Sequence, residues 1–213
     1  MKLCKESLLL YVVTDRTWLA GRTLAFQVEE ALKAGATCVQ IREKELEYDA
    51  FLAEAKTIRK ITERYNVPFI VNDNVQIALE CGADGVHVGQ SDLEAGETRR
   101  LIGPEMILGV SAQTVEQALL AEKSRADYIG VGAVFSTSTK QDADAVSLET
   151  LRQICATVSI PVVAIGGIGA GNILQLAGSG INGVAVVSAI FASPDIARTT
   201  RELKELALRA VLP

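Results

Sequence analysis

Two stretches near the C-terminal end decide the fold: Pro161-Val162-Val163-Ala164-Ile165-Gly166-Gly167-Ile168 and Gly183-Val184-Ala185-Val186-Val187-Ser188-Ala189-Ile190. Each is a short apolar run, rich in β-branched residues, that stops at small or polar residues. Unbroken apolarity means burial on both faces, which marks a parallel strand covered by helices rather than a half-exposed antiparallel one. The segment Asn172–Ala177 between them has helical spacing, so the pair reads as strand, crossover, parallel strand.

Moving outward, the same unit recurs along the chain. Strands are predicted at Ser7–Thr14, Cys38–Arg42, Pro68–Val71, Gly85–Val88, Ile107–Val110, Tyr128–Val131, Val162–Ile165 and Gly183–Val187. Helices are predicted at Leu24–Ala34, Tyr48–Tyr65, Val75–Cys81, Leu93–Ile102, Val115–Ser124, Leu148–Thr157, Asn172–Ala177 and Pro194–Ala210, with a longer loop running from strand six to Val146. Eight strand–helix units of roughly 25 residues each predict an α/β fold, a single (β/α)8 TIM barrel at the small end of that class. An open doubly wound sheet is the structural alternative. No linker or low-complexity stretch interrupts residues 1–213, which therefore read as one domain. Gly35, Gly82, Gly178 and Gly180 follow helices and read as helix stops on the stability side of the barrel.

Composition removes several functions. With 21 Lys+Arg against 26 Asp+Glu the net charge is −5, unsuited to general nucleic-acid binding, which needs a basic face. The single histidine excludes a three-His zinc site within one chain. Cys4, Cys38, Cys81 and Cys155 are widely spaced, which fits buried free thiols better than a disulfide framework. The longest early apolar run, Leu8–Val13, is too short for a signal-peptide core or a membrane span, so the chain reads as cytoplasmic.

A barrel of this kind places its chemistry where the strands end at their C-terminal side. Polar and charged residues follow the predicted strands: Thr14-Asp15-Arg16, Arg42-Glu43-Lys44, Asn72-Asp73-Asn74, Gln90-Ser91-Asp92, Ser111, Thr137-Ser138-Thr139-Lys140, Gly166-Gly167 and Ser188. The loops after strands seven and eight suit a phosphate held on backbone N–H groups. Arg42 and Lys44 lie two apart, so an extended strand end points both to one side. With Lys140 they suggest a second, more highly charged anion such as a diphosphate. Asp73 and Asp92 follow neighbouring strands, and two carboxylates beside a diphosphate call for a cation between them, for which Mg²⁺ is suited. Capping of the helices that follow is an equal reading of both aspartates. His87 reads as a hydrogen-bonded polar residue of the barrel interior rather than an acid–base catalyst.

Eight segments, in order, each after its own strand, resemble the thiamine-phosphate synthase family from Tyr11 to Ile190. They are Tyr11-Val-Val-Thr-Asp15, Gln40-Ile-Arg-Glu-Lys44, Asn72-Asp73, Gly85-Val-His-Val-Gly-Gln90 with Asp92, Gly109-Val-Ser111, Thr137-Ser-Thr-Lys140, Ala164-Ile-Gly-Gly-Ile168 and Val187-Ser-Ala-Ile190. The resemblance implies a Mg²⁺-dependent transferase joining hydroxymethylpyrimidine diphosphate to a thiazole monophosphate, with thiamine phosphate and diphosphate as products. It implies that Gln40, Arg42, Lys44, Asn72 and Lys140 hold the pyrimidine diphosphate, within the substrate-binding runs that include Ile41, Glu43 and Ser138. By the same resemblance Asp73 and Asp92 would hold Mg²⁺, and Ser111 would contact the pyrimidine. Thr137 and Thr139, with backbone from Gly167, Val187 and Ser188, would bind the thiazole phosphate. The resemblance assigns the catalytic roles to Arg42, Lys44, Lys140 and Ser111. No nucleic acid or membrane partner is implied, and a homo-oligomer is compatible with the pattern.

The chain departs from the family at Ser136, often Pro, and at Gln113, often His. Two alternatives remain at this point: a thiazole tautomerase of the same fold, which uses a His after strand five, and a non-catalytic ligand-binding or regulatory barrel.

Overall fold

The computed structural model describes residues 3–89, 94–136 and 145–212. Eight parallel strands close on themselves in sequence order, β1 pairing with both β2 and β8. They are β1 (Leu10–Val13), β2 (Cys38–Ile41), β3 (Phe69–Asn72), β4 (Gly85–Val88), β5 (Ile107–Ala112), β6 (Tyr128–Val131), β7 (Val162–Ile165) and β8 (Gly183–Val186). The helices are α1 (Leu24–Lys33), α2 (Tyr48–Arg64), α3 (Val75–Cys81), α4 (Ala95–Ile102), α5 (Val115–Lys123), α6 (Leu148–Thr157), α7 (Ser188–Phe191) and α8 (Ile196–Val211). The closed barrel matches the sequence reading and rules out the open sheet.

Strand alternation divides the apolar residues into two cores. Val12, Val39, Ile41, Val71, Val86, Leu108, Val110, Ile129, Ala164 and Val184 point outward into a large cluster under the helices. Tyr11, Val13, Cys38, Ile70, Ile107, Tyr128, Val163 and Ala185 point inward and fill the barrel. This two-sided burial is why the strands are continuously apolar. Thr23, Asn74, Thr114, Ser147 and Asp195 begin their helices by accepting a backbone N–H on a side-chain oxygen.

The lower rim has a repeated clamp. The first residue of β1, β3 and β7 and the second of β5 donate backbone N–H to a side chain just ahead of the next strand: Leu10 to Thr37, Phe69 to Asp84, Val162 to Asn182 and Leu108 to Asp127, at 2.8–2.9 Å. These bonds satisfy strand ends that would otherwise lack a partner.

Several predicted boundaries are corrected. The first strand starts at Leu10 instead of Ser7, because Lys5–Leu8 forms a 3-10 turn. That turn lays the fully buried Leu8 against the inner core, where it plugs the barrel. The seventh crossover is the four-residue 3-10 turn Ile173–Leu176 rather than a helix over Asn172–Ala177, and α7 is an additional short helix after β8. Cys38 and Cys81 are buried as expected, but Cys155 is only half-buried and Cys4 is exposed, so the buried-thiol reading fails for these two. Leu93 and most of the strand-six loop lie outside the described residues. Among the described residues no helix is long and apolar enough to cross a membrane.

Candidate active site

The strands end at one rim, and each end delivers particular groups there. β2 stops at Ile41, whose side chain faces the outer core, so only the backbone of Ile41 belongs to the rim. Thr14 ties this end to β1: its N–H donates to the Gln40 carbonyl at 2.9 Å, and its hydroxyl accepts the Arg42 N–H at 3.0 Å. The chain then bends. The Glu43 carboxylate accepts the backbone N–H groups of Lys44 and Glu45 at 2.9 and 3.1 Å and also binds Arg16, whose guanidinium reaches Glu54 as well. Glu43 is thus committed to shaping the loop, its side chain 3% exposed. Burial pushes the Glu54 carboxyl upward despite Arg16 beside it.

The bend changes how the two cations are placed. Arg42 and Lys44 lie past the strand, so their relation is set by the loop and not by two-residue alternation. Lys44 Nζ reaches across to β3 and donates to Asp73 Oδ2 at 2.8 Å. A pocket of about 500 Å³ between the ends of β2 and β3 is lined by Glu43, Lys44, Phe51, Asn72, Asp73 and Asn74 among others.

Asp73 does not cap α3. That task belongs to Asn74, whose Oδ1 accepts the Ile77 N–H at 2.9 Å. Asp73 has φ +61°, the left-handed region that a non-glycine residue enters at a cost, and its N–H donates to the His87 carbonyl at 2.8 Å. The strained turn leaves the carboxylate free of helix capping and beside a cation. For Asp73 the capping reading of the sequence is therefore removed. A hard carboxylate next to the amide of Asn72 suits Mg²⁺, which takes one or two carboxylates and completes its shell with water and substrate phosphates. Among the described residues no three His, Cys, Asp or Glu side chains cluster as a protein-only metal cage. Asp92, Thr137, Ser138, Thr139 and Lys140 lie outside the described residues.

On the far side, Gly166 and Gly167 have φ +99° and +64°. A Cβ on Gly166 would lie 2.5 Å from Ala133 Cβ, and one on Gly167 would lie 2.8 Å from the Phe135 carbonyl oxygen. Contact between the loops after β6 and β7 therefore requires these glycines whether or not a phosphate sits there. Backbone bonds Val134 N–H to Ile165 O and Phe135 N–H to Gly166 O join the same loops. Val187 and Ser188, half-buried, begin α7 next door.

The barrel mouth also holds a polar chain that the sequence reading missed. Gln40 Nε2 lies 2.7 Å from Tyr11 Oη, Tyr11 Oη 2.8 Å from Tyr128 Oη, Tyr128 Oη 3.0 Å from His87 Nδ1, and His87 Nε2 3.0 Å from Ser111 Oγ. His87, 9% exposed, is a hydrogen-bonded interior residue in the geometry the sequence suggested. The tyrosines carried no signal beyond their inward parity, because their meeting depends on which strands face each other.

A closed (β/α)8 barrel with its ionic and hydroxyl groups gathered where the strands end at their C-terminal side defines the class: a TIM-barrel enzyme. Residues 10–190 match the family described as thiamine monophosphate synthase. The chain is 55% identical over 197 residues to the thiamine-phosphate synthase of Ruminiclostridium cellulolyticum, covering 92% of this chain and 94% of that one. It is 49% identical over 194 residues to that of Clostridium tetani, covering 91% and 93%. A solved thiamine phosphate pyrophosphorylase from Pyrococcus furiosus superposes with a TM-score of 0.90 at 39% identity, covering 97% and 98%. The chain belongs to the thiamine monophosphate synthase family and is a transferase of thiamine biosynthesis.

Proposed function

We propose that this barrel transfers the hydroxymethylpyrimidine group from its diphosphate to the ring nitrogen of a thiazole monophosphate. The bond between the pyrimidine methylene carbon and the diphosphate oxygen breaks, and its electron pair leaves with the diphosphate. The exocyclic amino group stabilises the resulting cation through the ring. The thiazole nitrogen then supplies the electron pair of the new C–N bond, and the products are thiamine phosphate and diphosphate.

The protein's part is positioning and charge stabilisation. Arg42, Lys44 and Lys140 take up the charge that grows on the departing diphosphate, with Gln40 and Asn72 fixing its orientation. Ser111 contacts the pyrimidine. Thr137 and Thr139, with the backbone of Gly167, Val187 and Ser188, hold the thiazole phosphate. Asp73 and Asp92 would hold Mg²⁺, which supplies charge neutralisation on the phosphate oxygens when bound. Residues 1–213 act as a single domain. The observation that carries this reading is the Asp73 carboxylate, released from capping by Asn74 and set 2.8 Å from Lys44 between two strand ends.

The test incubates the purified protein with both substrates, with and without Mg²⁺, and follows thiamine phosphate and diphosphate together. Equal formation of both products, dependent on Mg²⁺, is expected. Isomerisation of the thiazole without diphosphate release, or binding without turnover, refutes the proposal in favour of a tautomerase or a ligand-binding barrel.

A further inference from the structure

We propose that Asn172 is a positioning residue for the phosphate end of the thiazole substrate. Its side-chain amide clamps the glycine-rich loop after β7 at two points and turns the N–H groups of Gly167 and Ile168 toward the anion.

Four of the six residues from Gly166 to Gly171 are glycine, which loses more conformational freedom on ordering than any other residue. Asn172 holds this segment with two bonds. Its Nδ2 donates to the Gly167 carbonyl at 2.8 Å, and its Oδ1 accepts the Gly169 N–H at 2.8 Å. Both partners are backbone groups of fixed character, one a carbonyl and the other an N–H. The orientation of the amide is therefore settled without reference to any other side chain. Backbone N–H groups of Asn172 and Ile173 donate to the Gly169 carbonyl at 3.1 and 3.0 Å and keep the residue beside the loop. Asn172 stands where an asparagine would ordinarily cap the turn that follows, Ile173–Leu176, yet it makes no side-chain cap there. Its amide reaches back to the glycines instead.

These bonds fix the direction of two N–H groups, because in a planar trans peptide the N–H points opposite to the C=O. The Gly166 carbonyl accepts from the Phe135 N–H in the loop after β6, so the Gly167 N–H points away from that loop. β7 lies between β6 and β8, so this N–H faces the side of β8, where Val187 and Ser188 follow the strand. The two loops touch there: a Cβ on Gly169 would lie 4.0 Å from Ala189 Cβ. The Gly167 carbonyl is held by Asn172, so the Ile168 N–H points away from Asn172. The family resemblance names backbone only at Gly167 in this loop, and the clamp adds the Ile168 N–H as a second donor. Backbone N–H bonds to an anionic oxygen are charge-assisted and stronger than neutral ones.

The inference rests on the thiazole phosphate assignment made above, and inorganic phosphate separates the two. In the ¹⁵N-labelled protein, inorganic phosphate alone is expected to move the Gly167 and Ile168 amide signals. Asn172→Ala should need about tenfold more phosphate for the same shift, the loss of one hydrogen bond. The thiazole monophosphate should bind the wild type more tightly than the dephosphorylated thiazole alcohol does. That preference should fall about tenfold in Asn172→Ala, with affinity for the alcohol and KM for the pyrimidine diphosphate unchanged. A merely structural role would weaken both thiazoles alike. Asn172→Asp keeps the side-chain shape and the acceptor for Gly169 but loses the donor to Gly167, so it should lose the preference as well. Silent Gly167 and Ile168 amides in the wild type, an unchanged preference in either variant, or an equal loss for monophosphate and alcohol overturns the proposal. A phosphate response at the two amides without binding of the thiazole monophosphate supports the clamp and overturns the function proposed above.

Discussion

Gly109→Ala is the sharpest structural test of the barrel interior. Gly109 sits in β5 with His87 as its partner on β4 and Tyr128 as its partner on β6. Pairing on both sides holds its backbone, so an added methyl group cannot escape by moving the strand. The new Cβ would be 2.5 Å from His87 Nδ1 and closer still to the Tyr128 ring and hydroxyl. It would therefore occupy the space of the hydrogen bond joining them. Overpacking costs about 1–3 kcal/mol, and a buried polar group that loses its partner costs about 1–3 kcal/mol. Together these predict a loss of about 2–6 kcal/mol, a large part of the roughly 5–15 kcal/mol that keeps a domain folded. Gly130→Ala is the control, because its Cβ would meet the His87 ring at 3.1 Å from Cε1 and an ordinary 3.6 Å from Nε2, and a few tenths of an ångström relieves the closer contact. It should lose about 1 kcal/mol or less. Urea unfolding read by the single tryptophan, Trp18, which packs against the outer core, measures both. A Gly109→Ala protein within about 0.5 kcal/mol of wild type, or one no less stable than Gly130→Ala, would refute the packing argument.

Asn74→Ala should cost about 1 kcal/mol by removing the cap of α3, measured by the same unfolding curve; no change would mean that Asp73 takes over the cap. Lys44→Gln should lower Mg²⁺-dependent turnover at least tenfold, a loss of about 1.4 kcal/mol or more of transition-state stabilisation. Its stability should change by less than about 1 kcal/mol, since Lys44 is 53% exposed and its pair with Asp73 lies at the surface. Turnover at the wild-type rate would contradict the diphosphate role. For the tyrosines, burial raises the folded-state pKa of Tyr11 and Tyr128 well above the ordinary value near 10. From about pH 10 upward the unfolded chain ionises these phenols while the folded one does not, so the unfolded state binds fewer protons and stability falls as pH rises. Tyrosinate absorbance should accordingly include a component, from Tyr11 and Tyr128, that appears only as the protein unfolds. Ionisation of Tyr11 and Tyr128 with the fold intact would show these phenols to be accessible.

Much of the architecture was legible in the residues because a strand buried on both faces must be apolar at every position, and eight such runs alternating with helical spacing leave few arrangements open. The strand ends were less legible. Ser7 and Leu8 extend the first apolar run in composition, yet they form a turn because Leu8 closes the bottom of the barrel. Glu43 looked like a rim charge, but Arg16 and two backbone N–H groups occupy its carboxylate. Asp73 and Asn74 are adjacent and both favoured as helix caps. Only the left-handed turn at Asp73 decides that Asn74 caps and Asp73 faces Lys44.

The sequence by itself determined the barrel, its order and the residue types gathered at its upper rim, because burial and helical or extended spacing are local properties of the chain. The tertiary structure alone decided which inward residues meet. Gly109 lies between His87 and Tyr128, and Tyr128 reaches Tyr11 across 117 positions of sequence. Register and closure set those meetings, and neither leaves a mark on any single stretch of residues.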